Sequence, residues 1–218
     1  MRTKRLFKDK TVVITGAAGG LGQAFCRCFG RAGARLGLLD LESDSIASAV
    51  KELRADGIDC HGLTCDVTKD QDCENAMATL IQRFGGVDVL INNAGITQRS
   101  AFAKTTTEVF HRVMNINLFG ALHCTKAALT SLVKRHGLII VISSIAGFAP
   151  LYGRTGYAAS KHALHGLFDS LRTELRNEGV GVMIVCPGFV DTNFAFTALD
   201  GDGRLTTHPR STLGHLSR

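Results

Sequence analysis

Several features that would mark a specialised architecture are missing from this sequence. Three prolines in 218 residues leave no Pro-rich linker, and no repeat or low-complexity tract marks a second domain. No apolar run is long enough for the core of a signal peptide or for a bilayer span, so the expected setting is cytoplasmic. Seven cysteines (Cys26, Cys28, Cys60, Cys65, Cys73, Cys124 and Cys186) are scattered and odd in number. They form no Cys-x-x-Cys pair and no Cys/His cluster at ligand spacing, which argues against both a zinc-type centre and a disulfide framework. They read as small buried hydrophobes in a reducing compartment. A basic patch interleaved with aromatics is also lacking. The net charge is +6, but Arg2, Lys4, Arg5, Lys8 and Lys10 against Asp9 supply +4 of it within the first ten residues. A short basic arm of this kind is a solvated terminus, so no nucleic-acid partner is expected.

What the sequence does have is glycine and alternation. Twenty-four glycines suit many tight strand-to-helix turns. Apolar strand candidates at 11–15, 35–39, 58–64, 87–91, 137–143 and 180–185 alternate with helix candidates at 20–32, 43–56, 70–84, 107–135 and 156–178. The strands are almost continuously apolar, as expected when helices cover both faces of a parallel sheet. The pattern predicts one α/β domain over residues 1–198, a doubly wound parallel sheet, followed by an irregular tail over 199–218. In such a fold the carboxyl ends of the strands share one edge, where ligands bind.

That edge collects the chemistry. The first strand candidate runs into Thr15-Gly16-Ala17-Ala18-Gly19-Gly20-Leu21-Gly22 and then into helix. Glycines let the backbone approach a pyrophosphate, and the helix N-terminus supplies N–H donors and the positive dipole end. Asp40 closes the second strand about twenty residues on, where a carboxylate takes ribose hydroxyls. Asp66-Val67 and Asn92-Asn93-Ala94-Gly95 follow the third and fourth strands, although Asp66 alone could equally be a helix N-cap. A carboxylate at Asp40, followed by Leu41, would repel a 2′-phosphate, which favours NAD over NADP. Tyr157 and Lys161 lie four apart on one helix face. A lysine ammonium beside the phenol, together with a positively charged nicotinamide, is expected to lower the tyrosine pKa and fit it for proton transfer.

Taken in order, TGAAGGLG (15–22), Asp40, Asp66-Val67, NNAG (92–95), Asn117 within NINLFG, Ser144 within ISSIAG, YAASK (157–161) and PGFVDT (187–192) closely resemble the short-chain dehydrogenase/reductase family. The resemblance runs from about Lys8 to Asn193 and implies a Rossmann fold. It also implies an NAD-dependent oxidoreductase acting on a secondary alcohol or ketone. Tyr157 would be the general acid/base, Ser144 would polarise the substrate oxygen, Lys161 would bind nicotinamide ribose and tune Tyr157, and Asn117 would hold a relay water. Cofactor contacts would come from Gly16, Gly20, Leu21, Gly22, Asp40, Asp66, Val67, Asn93, Ala94 and Gly95, then from Tyr157, Lys161, Pro187, Gly188, Val190 and Thr192. Taken singly, Asn117 could be a helix-kinking residue, Ser144 a turn former and Thr192 a helix cap.

Past Asn193 the family pattern stops. The remaining FAFTALDGDGRLTTHPRSTLGHLSR holds no strand-like run and no useful amphipathic helix, so six strands are expected, with the family's usual seventh absent. Phe148, Leu151, Tyr152, Phe189 and Phe194 would make the substrate pocket apolar and the substrate lipophilic. The resemblance further implies a homodimer or homotetramer, paired through the helices over 107–135 and 156–178, with Leu122, Leu129, Leu164 and Leu171 as apolar contacts. A catalytically impaired nucleotide-binding homologue, or a truncated product lacking the substrate-binding C-terminal segment, is the alternative that the ending leaves open.

Overall fold

A computed structural model describes residues 7–188, 190 and 197–207. Six strands form one wholly parallel sheet: β1 (Thr11–Thr15), β2 (Arg35–Asp40), β3 (Cys60–Thr64), β4 (Val89–Asn92), β5 (Leu138–Ile142) and β6 (Gly181–Val185). Their order is β3-β2-β1-β4-β5-β6, so the winding reverses between β1 and β4. This is a Rossmann-type doubly wound sheet, and the cleft at that reversal is where the architecture places a ligand.

Alternation along each strand sorts the core into two layers. Val13, Leu90, Ile139 and Val141 point to one face. There they meet α3 (Asp70–Phe84), α5 (Gly120–Lys134) and α6 (Thr155–Glu174). Val12, Ile14, Leu36, Leu38 and Ile91 point to the other face, covered by α1 (Gly20–Arg31) and α2 (Ser43–Ala55). That second layer thins toward β6, where Met183 is 49% exposed. At the opposite, amino-terminal edge, the Asp88 carboxylate ties the sheet together. It accepts from Thr11 N–H at 2.9 Å and pairs with Lys10 and Arg135, each at 3.0 Å. Burial alone would raise this carboxyl, but the hydrogen bonds from Arg135, Thr11 and Lys10 hold it below its ordinary value.

The helix expected over 107–135 is divided. α4 (Thr107–Met114) passes into a five-residue π-turn, Asn115–Phe119, before α5 begins. π-turns of this kind add a residue to the helical repeat and recur at functional sites. Helical periodicity alone does not reveal the insertion.

The composition placed the domain boundary at 198, but Leu199 is buried against Val109 and Val113 of α4. Residues 198–206 form a tight hairpin, with Asp200 N–H to Arg204 O at 2.7 Å and Thr206 N–H to Ala198 O at 2.8 Å. One buried leucine and a ladder of backbone bonds order a stretch that its mean composition suggests would stay irregular. Its bridges, Gln98 to Leu199 and Leu199 to Leu205, are isolated and add no strand to the sheet.

Candidate active site

The turn after β1 is built for close backbone approach. Gly16 has φ +63°, and a Cβ there would stand 2.9 Å from the Ala94 Cα. At Gly22 a Cβ would meet the Gly16 carbonyl at 2.1 Å. Gly20 and Leu21 open α1, whose N-cap Gly19 offers no capping side chain, so the first-turn N–H groups keep no side-chain partner. A cradle of uncapped N–H groups with no room for a Cβ at Gly16 or Gly22 fits a pyrophosphate. The Asp40 carboxylate leans back onto this loop, accepting from Ala18 N–H at 2.9 Å and Leu41 N–H at 2.8 Å. A ribose bound there would meet a carboxylate already held in place.

Thr15 joins the two halves of the cleft. Its hydroxyl accepts from the N–H groups of Asn93 and Ala94, both at 3.0 Å, while the Asn93 amide donates to Thr15 O at 2.9 Å and to Gly16 O at 3.1 Å. Asn93 and Ala94 therefore hold β4's turn against β1's. The sequence marked Asn93 and Ala94 and missed Thr15. A hydroxyl at a strand end is the signal that would have found it.

The four expected catalytic residues converge. Ser144, just past β5, is buried and caps the short turn Ile145–Gly147 by accepting from Ala146 N–H at 3.2 Å. Tyr157 and Lys161 lie on α6 and are 7% and 4% exposed. Lys161 Nζ lies 5.6 Å from the Tyr157 ring centre and donates to the Ile142 carbonyl at 2.8 Å. Asn117 sits inside the π-turn. Its Oδ1 accepts from Ile96 N–H at 2.8 Å, and its Nδ2 donates at 2.9 Å to both Ile96 O and Ser160 Oγ. Both amide hydrogens are thus used within the protein, so a relay water would find only acceptor capacity at this side chain. Gly95 lies between them, since a Cβ there would be 3.1 Å from Asn117 Oδ1 and 3.7 Å from Lys161 Nζ.

Burial sets the electrostatics of the pair in the absence of cofactor. Burial pushes the Tyr157 phenol up from its ordinary value, while a hydrogen bond with Ser144 and the charge of Arg154 pull it part of the way back. Lys161 is shifted in its turn. Its ammonium is itself depressed to about 8 by burial, with the nearby Cys186 working in the opposite direction.

Other expected residues lie further from this cluster or serve packing. Asp66 closes a local turn through Thr68, whose N–H and hydroxyl donate to its Oδ1 at 3.0 and 2.7 Å. α3 is instead capped at Lys69 without a side-chain bond. Val67 packs into the core, where Gly120 leaves it room. Pro187 O accepts from Ile145 N–H at 3.2 Å, which draws the Pro187-Gly188 turn beside Ser144. Val190 is 40% exposed. Thr192, Phe189 and Phe194 lie outside the described residues. The sequence also missed Ser160, the partner of Asn117, and Gln98, whose buried Oε1 accepts the Tyr157 N–H at 2.8 Å. Ser160 stands inside the YAASK run, whereas nothing in the local pattern singles out Gln98.

Comparison with known proteins identifies the family. The short chain dehydrogenase family profile matches residues 10–201, and the chain belongs to that family. It is 41% identical over 211 residues to dehydrogenase/reductase SDR family member 7B of Bos taurus, covering 93% of this chain and 65% of that protein. The Danio rerio member is 40% identical over 213 residues, covering 93% and 68%. The chain thus spans about two thirds of the length of these relatives. Among solved structures, a short chain dehydrogenase/reductase from Burkholderia phymatum in complex with NAD superposes with a TM-score of 0.84 at 31% identity, covering 87% of this chain and 69% of that one. An actinorhodin polyketide ketoreductase variant with NADPH gives a TM-score of 0.82 at 33% identity, covering 86% and 74%.

Proposed function

We propose that the protein is an NAD-dependent oxidoreductase that interconverts a lipophilic secondary alcohol and its ketone, with Tyr157 as general acid/base. The observation that carries this reading is the buried trio at the carboxyl edge of the sheet: Ser144 just past β5, Tyr157 on α6, and Lys161 one helical turn further along with its Nζ 5.6 Å from the Tyr157 ring centre.

The nicotinamide, when bound, supplies or accepts the hydride. The protein's own residues handle the rest. Gly16, Gly20, Leu21 and Gly22 present backbone to the pyrophosphate, and Asp40 accepts from the ribose hydroxyls. Ser144 Oγ donates to the substrate oxygen, and Tyr157 Oη gives up or takes the proton there. Lys161 donates from Nζ toward ribose on the same side. Asn117 fixes the Ile96 backbone and offers Oδ1 to a relay water. The raised Tyr157 phenol suits the protonated, acid form at neutral pH, the form that ketone reduction consumes. Phe148, 64% exposed on the loop between Ser144 and Tyr157, supports a lipophilic substrate.

Asp40 supports NAD over NADP, because a 2′-phosphate would face a carboxylate already bound to the loop and the exposed, uncharged Leu41. Purified protein given NAD and a panel of secondary alcohols should generate NADH absorbance. It should bind NAD more tightly than NADP, with Asp40→Ala narrowing the difference. NADP bound as tightly as NAD by the native protein would overturn the cofactor assignment, and failure of the whole panel with NAD bound would overturn the activity.

A further inference from the structure

Tyr157 is the third residue of α6, so its backbone N–H has no acceptor within the helix. The N-cap residue, Arg154, makes no side-chain capping bond. The acceptor comes instead from Gln98, 59 positions earlier in the chain, whose Oε1 receives this N–H at 2.8 Å. Gln98 is fully buried, and its Nε2 has no hydrogen-bond partner among the described residues. A buried amide with an orphaned donor is costly, whereas an apolar side chain of the same shape would move that cost onto the Tyr157 N–H. The side chain therefore holds one specific backbone group, that of the residue proposed to move the proton.

The segment around Gln98 is clamped from both sides. On one side lies the 198–206 hairpin, with Leu199 N–H bonded to Thr97 O at 2.8 Å and Arg99 N–H to Leu199 O at 2.7 Å. On the other side lies the start of α6. Arg154 Nη1 donates to Thr97 Oγ1 at 2.8 Å, and Ser100 N–H to Gly153 O at 3.0 Å. The hairpin turn has no slack, because a Cβ at Gly201 would stand 2.0 Å from the Lys104 carbonyl. Gly156, next to Tyr157, is equally confined, its Cβ position lying 2.9 Å from the Phe110 ring and 3.5 Å from Gln98 Oε1.

We propose that Gln98 is a positioning residue for Tyr157, and that the hairpin through Leu199 and Leu205 holds Gln98 in register. The inference deepens the acid/base reading of Tyr157 and rests on it. Gln98→Met removes the acceptor at similar volume, Gln98→Glu keeps it, and Gly201→Ala disturbs the hairpin, and with it the register of Gln98, without substituting Gln98 itself. Two readouts are taken: hydrogen exchange of the Tyr157 amide, and kcat separately from the KM for NAD. With Gln98→Met, amide exchange should quicken about tenfold or more and kcat should fall about tenfold or more, while the KM for NAD stays within about twofold. Gln98→Glu should restore both readouts, and Gly201→Ala should reproduce both losses in milder form. An unchanged kcat in Gln98→Met overturns the proposal, as does a loss shared equally by kcat and NAD binding that Gln98→Glu fails to restore. If Gln98→Met does not fold, Gly201→Ala decides, and an unaltered Tyr157 amide and kcat there overturn the proposal. If the native protein turns over no substrate, the acid/base reading fails, and amide exchange alone decides the positioning. Equal protection of the Tyr157 amide in native protein and Gln98→Met would then reject it.

Discussion

Lys161 carries the largest electrostatic cost in the site. Burial lowers its ammonium from 10.5 to about 8, so the unfolded chain holds this proton more tightly than the folded one. Between those values the unfolded state binds more protons, and the Lys161 contribution to stability rises with pH. Below about 8 both states are protonated and the full cost of burying the charge is present. Chemical denaturation of native protein and Lys161→Met at several pH values should therefore show the difference moving in favour of the native protein as pH climbs from about 8 to 10.5. A difference that stays flat across that window would contradict the burial seen here. The closeness of Lys161 and Tyr157 was legible in the sequence, because residues four apart share one helix face. Thr15 and Gln98 were not, because a threonine at a strand end and a glutamine in a loop have many bland uses. Their partners, Asn93 and Tyr157, are 78 and 59 positions distant.

At the scale of elements, apolar runs placed all six strands within two residues of their starts. The shortfalls have local causes. Ile58 N–H closes the end of α2 by bonding Leu53 O, so β3 begins only at Cys60. Val87 N–H is taken by Ser131 Oγ, and β4 begins at Val89. The π-turn at Asn115–Phe119 was invisible to periodicity, since one extra residue shifts the apolar stripe by less than the stripe's own width. The helices also refine the expected pairing of subunits. Leu164 is 1% exposed within its own chain and joins the core, whereas Leu122, Leu129 and Leu171 are only half-buried. If α5 and α6 pair across a two-fold axis, these three leucines supply its apolar centre. Sedimentation equilibrium at micromolar concentration should return a homodimer or a homotetramer, shifted toward monomer by Leu122→Glu with Leu129→Glu. A sharp monomer for the native protein would remove the idea.

Across the whole molecule, the two core layers and the reversal between β1 and β4 bring residues from all six strand ends to one edge. The proposed catalytic groups come from three places in the chain, the π-turn, the end of β5 and the start of α6, and each is tied by hydrogen bonds to another segment. The domain's alternation was plain in the sequence, because burial on both faces forces near-continuous apolar strands. The docking of 198–206 was not, because backbone hydrogen bonds leave no mark on composition and a single leucine carries the apolar contact. Among the described residues no helix is long and apolar enough to cross a membrane. The central claim, that this fold exists to bring a tyrosine proton to a substrate oxygen beside a nicotinamide, is tested most directly with Tyr157→Phe. The rate of NADH formation from the best alcohol of the panel is compared with native protein, alongside calorimetric binding of NAD to both. The account predicts a loss of about a hundredfold or more in rate, because the proton shuttle is gone, with NAD affinity unchanged. A rate close to native, or a rate lost together with NAD binding, would contradict it.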